Sequence, residues 1–535
     1  MPLTRPQKLE QVQTLQNGFD VVVIGGGITG AGVAREAAGS GLRTLLVEQN
    51  DFSWGTSSRS SKMVHGGLRY LGSGQFKLTR DAVTERERLM AEAPGLIDPL
   101  RFVMPHYRKQ FPGPRLFQIL LRVYDRIAGN PSRQRLSPAE TLQWVPGLAT
   151  ENLVAASGFT DAVTDDSRLV QRVIEEAEAD GALCLNYLQA DAIIRDGASA
   201  AVTGVQLRDT GTDGQSFSVS SRLVINATGA WAQALQQADD DKTRIRPLRG
   251  SHLVLPFSRL PVSCSVSLFH PRDRRPVFAF PWQGTTVLGT TDLDHDGDLS
   301  REPAITREEL DYLLEISATL FPSSAINVHD IIATWAGVRP VVSEVSTKAK
   351  GRKPSQENRE HVIWADNGLI SIAGGKLTTF RLIAREVLER AQSLMPGFSL
   401  RDDSTPVFSP PTNLNRPPGI SHRNWERLLG FYGPALDKVL TAGSHNTVAS
   451  SDTLWAELAW AAANTGVVHL DDLLLRRTRL GLILPHGGQA LLPEIRTVCQ
   501  PILGWDDHTW EHEQSRYLGI WQTSYSLPST GGEAA

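Results

Sequence analysis

Three glycines in the order Gly25-x-Gly27-x-x-Gly30, with an acid downstream at Glu48, are the residues of this chain best suited to hold a dinucleotide. Gly25 permits a tight turn, Gly27 lets the backbone approach a pyrophosphate, and Gly30 with Ala34 lets a helix pack closely on a strand. The N-terminus of that helix then offers unpaired N–H groups and a partial positive charge to the phosphates. Glu48 is placed for the hydroxyls of an adenosine ribose. A carboxylate there repels a 2′-phosphate, which favours FAD or NAD over NADP. A second glycine-rich turn, Gly374-Gly375-Lys376, opens the stretch TTFRLIAREVLERA. Such a turn at a helix N-terminus stabilises negative charge, as develops at N1 and O2 of a reduced flavin, and Lys376 adds a formal positive charge. Between the two lies a loop of hydroxyl side chains, Thr56, Ser57, Ser58, Ser60 and Ser61, around Arg59 and Lys62. Its donors suit phosphate and ribityl oxygens.

These residues need a frame. Val21–Ile24 is a short apolar run rich in β-branched residues, as expected of a parallel strand buried on both faces. A small-residue helix follows Gly30 and stops at Gly39 and Gly41, and a second strand, Thr44–Val47, delivers Glu48. A third strand, Arg222–Ile225, runs into NATG, whose Gly229 permits close backbone approach to a cofactor. A fourth, Gly368–Ala373, feeds the second glycine turn. The fold class expected is α/β, built on a Rossmann-like domain.

A chain of 535 residues is too long for one core, so two or three domains are expected. A net charge of -4 argues against a general nucleic-acid binder. Cys184, Cys264 and Cys499 are odd in number and lack CxxC spacing, which excludes a disulfide framework or zinc site and fits a reducing cytoplasm. No metal is expected. The first eighteen residues contain no apolar core of a secretory signal. Apolar runs such as 21–24 and 458–463 are far short of a membrane span, so membrane association is expected to be peripheral.

The run GTSSRSSKMVHGGLRYL at 55–71 resembles the signature of the FAD-dependent, respiratory glycerol-3-phosphate dehydrogenases, a branch of the D-amino-acid-oxidase-like flavoproteins. FVMPHYR at 102–108, DDSRLV at 165–170, NATGAWA at 226–232 and RGSHLVLP at 249–256 follow in the order that family shows. PWQGTTVLGTTD at 281–292, WAGVRP at 335–340 and GGKLTTFR at 374–381 complete the set. The resemblance implies FAD as cofactor, with contacts at Ile28, Gly55, Thr56, Ser57, Ser58, Ala190, Gly229, Gly375, Lys376, Leu377 and Thr378 besides the first glycines and Glu48. It also implies that Arg69, Tyr70, His252, Arg339, Arg359 and Lys376 converge on glycerol 3-phosphate, with His252, Arg339 and Lys376 catalytic. Arginine offers planar, multidentate donors to a dianionic phosphate. Around Arg359 the pattern is lost, and Arg352 or Lys353 could take its place. The implied reaction is hydride transfer from C2 to flavin N5. His252 is the candidate base, because neutral imidazole titrates near the operating pH.

The implied architecture is a Rossmann-like FAD-binding domain in pieces, about 19–100, 150–250 and 330–395, with an inserted mixed β-sheet substrate domain from about 101–149 and 250–330. A Pro-rich linker at 408–419 leads to a C-terminal helical cap at 420–525, where LWAELAWAAANTG and LDDLLLRRTRLGLIL show helical spacing, and 526–535 is expected to be a disordered tail. Residues 101–135 carry eight basic side chains against Asp125, interleaved with apolar ones. This is either an anionic-membrane surface or a core helix with a solvated basic face. The resemblance favours the membrane, with a quinone as electron acceptor, on the cytoplasmic inner face of a bacterial cytoplasmic membrane. A homodimer is compatible with the sequence. The rivals are a glycerol-3-phosphate oxidase using oxygen, an amino-acid oxidase that would need a carboxylate clamp, and a non-catalytic flavin-binding membrane protein.

Overall fold

The computed structural model describes residues 3–72, 74–211, 214–235, 243–344 and 360–528. The expected strands form the centre of the first of two sheets. Phe19–Ile24 lies between Thr44–Val47 and Ser216–Asn226, with Leu369–Ala373 beyond the latter and Leu183–Leu185 beyond the former, all parallel. Because side chains alternate across a strand, Val21 and Val23 enter one core and Val22 and Ile24 another. The first core is roofed by helices Ile28–Gly39, Asp166–Ala179 and Phe380–Leu394; the second by the antiparallel strands Leu188–Arg195 and Val202–Asp209 and helix Arg5–Thr14. Both faces are therefore covered, as a parallel sheet requires.

The second sheet is mixed, since Ser265–Phe269 pairs parallel with Ile97–Tyr107 while its other neighbours run antiparallel. Two long antiparallel pairs dominate it: Ile97–Tyr107 with Leu153–Thr164, and Thr243–Pro256 with Ala333–Glu344. This moves the expected boundaries. Residues 97–100, 153–164, 243–250 and 333–344 belong to the second sheet rather than to the cofactor pieces, because these strands find their hydrogen-bond partners there.

Three further expectations change. The basic stretch 101–135 is not one amphipathic unit: it begins within strand Ile97–Tyr107, and only Pro114–Ala128 is a helix of more than two turns. The segment 408–419 is irregular but docked, with Ser409 donating from N and Oγ to Glu176 (2.9 and 2.7 Å) and Phe408 buried. The C-terminal helices are not a separate cap with a private core. Trp425, Leu428 and Phe431 pack into the first sheet's core, and Leu474, Trp510 and Tyr517 into a core shared with Phe102, Trp282 and Trp335. Within LDDLLLRRTRLGLIL the helix is interrupted: Asp472–Arg477 forms a π-turn, Arg479 adopts φ 61°, and a short helix restarts at Leu480. Of the expected tail, Ser526 accepts from Thr334 Oγ1 (3.1 Å) and Leu527 packs on the second sheet, while 529–535 lie outside the described residues.

Candidate active site

Strand pairing alone brings the implied catalytic residues onto one face. His252 stands opposite Trp335 in the register, and Leu248 opposite Arg339, so His252, Trp335 and Arg339 point the same way from neighbouring strands. Glycines clear that face for the hydroxyl-rich loop. A Cβ on Gly337 would lie 2.2 Å from the carbonyl oxygen of Arg59, and one on Gly289 would lie 2.2 Å from the His252 ring. The loop is then fastened by its backbone and hydroxyls. Trp335 Nε1 donates to Ser60 O (3.2 Å), and Ser60 donates from N and Oγ to Asp166 (2.9 and 2.7 Å).

From the other side the C-terminal region braces the same loop. Asp51 accepts from Arg476 Nε (2.5 Å) and, bidentately, from Arg477 Nη1 and Nη2 (2.6 and 2.7 Å). Arg479 Nη2 donates to Ser58 O (2.6 Å) and to Asp166 (3.0 Å), which also receives the Lys62 ammonium at 2.9 Å. All these side chains are buried. Burial pushes the Asp51 carboxyl up, but Arg477 and Arg476 outweigh it and hold it down at about 2. Burial together with Arg479 lowers the Lys62 ammonium to about 8, against the pull of Asp166. Lys62 lies over the faces of Trp335 and Trp282, 4.5 and 4.9 Å from the ring centroids.

Sheet ends and loop enclose a cavity of about 1070 Å³. At one end Gly25, Gly27, Ile28, Glu48, Ala190 and Gly229 line it, and Gly55, Thr56, Ser57, Gly375, Leu377 and Thr378 continue the wall. Gly30 and Ser58, also expected to touch the cofactor, do not reach the cavity. Gly30 is needed one layer back, where a Cβ would fall 1.9 Å from Gly25 O. Ser58 is buried, its carbonyl taken by Lys62 and Arg479.

The same cavity carries cations. Arg339, Lys376 and Tyr70 line it, with the Lys376 ammonium 3.5 Å from the centroid of the Tyr70 ring. Arg69 sits beside Tyr70 on the short helix Leu68–Gly72. Arg359 lies outside the described residues, as do Arg352 and Lys353. His252 differs from expectation: it is buried behind the wall, its Nε2 2.9 Å from Ser61 Oγ, and Ser61 lines the cavity in its place. Burial, then Arg339 and Lys62, hold its pKa well below the usual histidine range, so the ring is neutral. A third wall is apolar, formed by Phe102, Met104, Phe117, Leu120, Phe159 and Phe278.

Ser61 and Lys62, already named in the hydroxyl-rich loop, also line the cavity, as do His65, Trp54, Trp231 and Asp292, which were not singled out. His65 lies within the run GTSSRSSKMVHGGLRYL, and Asp292 ends the run GTTD. Type and motif were visible for these, whereas their depth depends on which strands pair.

The donor set fits a flavin dinucleotide. Glu48 accepts from Gly26 N (2.7 Å) and Asn50 N (2.9 Å), which places its carboxylate at the cavity edge beside the first glycine turn. Gly374 and Gly375 have φ of 78° and 92°, and Cβ atoms there would strike Glu360 O and Ile383 Cδ1 at 2.7 and 2.6 Å. That turn is thus kept bare where the backbone approaches the cavity.

Known proteins place this arrangement. Residues 20–381 match the FAD dependent oxidoreductase family, and 371–510 match the C-terminal domain of alpha-glycerophosphate oxidase. Glycerol-3-phosphate dehydrogenase 2 of Mycobacterium bovis is 34% identical over 525 residues, covering 94% of this chain and 87% of that protein. Alpha-glycerophosphate oxidase of Streptococcus pneumoniae is 33% identical over 596 residues, covering 96% of each. The structure of the glycerol-3-phosphate dehydrogenase of Bacillus halodurans, solved with FAD, superimposes with a TM-score of 0.73 at 26% identity over 97% of both chains. With the dinucleotide cradle, the mixed sheet and the helical C-terminal region all matched in one order, the chain belongs to the FAD-dependent glycerol-3-phosphate dehydrogenase and oxidase family.

Proposed function

We propose that this protein oxidises sn-glycerol 3-phosphate to dihydroxyacetone phosphate and passes the electrons to a membrane quinone. The observation that carries the reading is one cavity lined both by the dinucleotide cradle and by Arg339 and Lys376. FAD supplies the hydride acceptor. The chain's own residues then have two tasks. Arg339 and Lys376 neutralise the substrate phosphate and fix the position of C2. The hydroxyl proton leaves toward His252, and its route runs through Ser61 Oγ, since Ser61 and not His252 reaches the cavity. The ring is neutral with its Nε2 beside Ser61 Oγ, where it can receive the proton, and its burial and Arg339 make it a weaker base than a free imidazole.

Two observations support a quinone over oxygen. The apolar wall leads from the cavity to helix Pro114–Ala128, whose Phe117 and Leu120 belong to both. The alignment with the S. pneumoniae oxidase also spans 596 positions, against 525 for the M. bovis dehydrogenase, at 96% and 94% of this chain. The surplus corresponds to residues that oxidase has and this chain lacks. Mixing the FAD-loaded protein anaerobically with sn-glycerol 3-phosphate should bleach the visible flavin band. Reoxidation should then be slow in air and fast with a short-chain quinone. Fast reoxidation in air would make the protein an oxidase, and no bleaching would remove the substrate assignment.

Helix Pro114–Ala128 is proposed as the membrane-facing element on the cytoplasmic side. Its outer face presents Leu116, Ile119 and Val123 to solvent, the last three of an apolar row that begins at the exposed Phe111, and the exposed Arg115, Arg122 and Arg126 flank them. No described helix is long and apolar enough to cross a membrane. A bulky apolar side chain entering lipid contributes about 1.5–3 kcal/mol. Ile119→Asp should therefore weaken co-sedimentation with anionic phospholipid vesicles by roughly tenfold or more, leaving FAD content unchanged. Equal binding by both proteins would refute the placement.

A further inference from the structure

Arg339 is one half of a bridge. The carboxylate of Asp292, 2% exposed, accepts from Arg339 Nη1 at 3.1 Å through one oxygen and pairs with Arg275 Nη2 through the other. Arg275 Nη1 donates as well to the backbone carbonyl of Asp292 at 2.7 Å, so its guanidinium is held at two points and its plane is set. Arg339 Nη2 reaches Thr290 Oγ1 at 3.4 Å. Gly250 leaves room for this arrangement, because a Cβ there would lie 2.5 Å from Thr290 Oγ1 and 2.8 Å from Arg339 Nη2. Arg275, Asp292, Thr290 and Arg339 all line the cavity.

One buried carboxylate stands between two guanidiniums, and both of these stay partly open, with 27% of the Arg339 side chain and 21% of the Arg275 side chain exposed. Here one carboxylate ties together two planar donors that both line the cavity. A phosphate dianion complements such a pair in charge and in donor geometry.

We infer that Arg275 is a second phosphate-binding arginine of the substrate site and that Asp292 is the positioning residue that sets its spacing from Arg339. The identity of the phosphate's owner rests on the glycerol 3-phosphate reading, whereas the phosphate site itself does not.

Two measurements test it. In the FAD-loaded enzyme, Arg275→Gln should raise KM for glycerol 3-phosphate and the competitive Ki of inorganic phosphate together, by about ten- to a hundredfold. The rate of flavin reduction at saturation should change far less, and Arg275→Lys should recover part of the loss. A fall in that rate with phosphate Ki unmoved would mean a structural ion pair and overturn the inference. In the unmodified protein, inorganic phosphate should shield Arg275 from phenylglyoxal, read by peptide mass spectrometry, and this needs no variant to fold. Undiminished labelling of Arg275 at phosphate concentrations that shield Arg339 would also overturn it. If glycerol 3-phosphate fails to bleach the flavin while phosphate still shields Arg275, the substrate assignment falls and the phosphate site stands.

Discussion

Gly30→Ala should yield a protein without bound FAD. The new Cβ would lie 1.9 Å from the carbonyl oxygen of Gly25 and 3.1 Å from its carbon. Neither is the movable end of a side chain. Gly25 is fixed by its own φ of 110° and by donation from its N to Val47 O at 2.8 Å, and Ala31 N holds the helix start through Gly27 O at 2.9 Å. Relief requires helix Ile28–Gly39 to move off the sheet, which takes its N-terminus away from the cavity. Overpacking costs about 1–3 kcal/mol in a side-chain core, and a clash with backbone belongs at or above the upper end. A penalty of about 3 kcal/mol weakens binding roughly 100-fold. The ratio of flavin to protein absorbance after purification, followed by FAD titration of the apoprotein, measures it. Full occupancy would show that the glycine turn does not hold the cofactor.

Asp51→Asn should destabilise the whole chain while touching nothing that binds substrate. The substitution keeps size and shape but removes the charge facing Arg476 and Arg477, both fully buried. Arg476 retains Asp471 and Asp472, whereas Arg477 is left with the hydroxyl and carbonyl of Thr465. Stranding a buried charge costs about 3–5 kcal/mol. Urea unfolding followed by tryptophan fluorescence should show this loss, and Asp51→Asn with Arg477→Met should regain part of it. Acid gives a second signature. The folded carboxyl titrates near 2, below the ordinary value near 4 of an unfolded aspartate, so its stabilisation is present above pH ~4 and vanishes as pH falls through 2. The variant should lack that decline. Equal stability of the two proteins at neutral pH would mean that the arginines brace the loop without Asp51.

The dinucleotide half of the site was legible because its signals are local. Strand, glycine turn, helix and acid all fall between Phe19 and Glu48, and each imposes its own residue types. What lay out of reach depends on partners far along the chain. Ile97–Tyr107 is buried on both faces over much of its length, so it shows no alternation to mark it as a strand. The stretch LDDLLLRRTRLGLIL has helical spacing, yet its arginines turn inward to acids at 51 and 166, and the helix gives way around them. His252 was expected among the substrate contacts, whereas the structure buries it beside the cavity-lining Ser61. Its position behind Ser61 follows from the pairing of Thr243–Pro256 with two strands at once, which the motif RGSHLV does not contain.

The parallel sheet also has a temporal consequence. Val23 pairs with Ile225, and Ile225 with Ile370, so the central strand's neighbour is made about 200 residues after it and the next strand later still. At about 5–20 residues per second of synthesis, Phe19–Ile24 waits roughly 10–40 s for that neighbour to emerge. Through that interval an edge that is apolar but for Asp20 is open on the nascent chain, and the glycine turn behind it has only half of its cradle. The complete cradle exists only once the last parallel strand, Leu369–Ala373, and the glycine turn after it have been made.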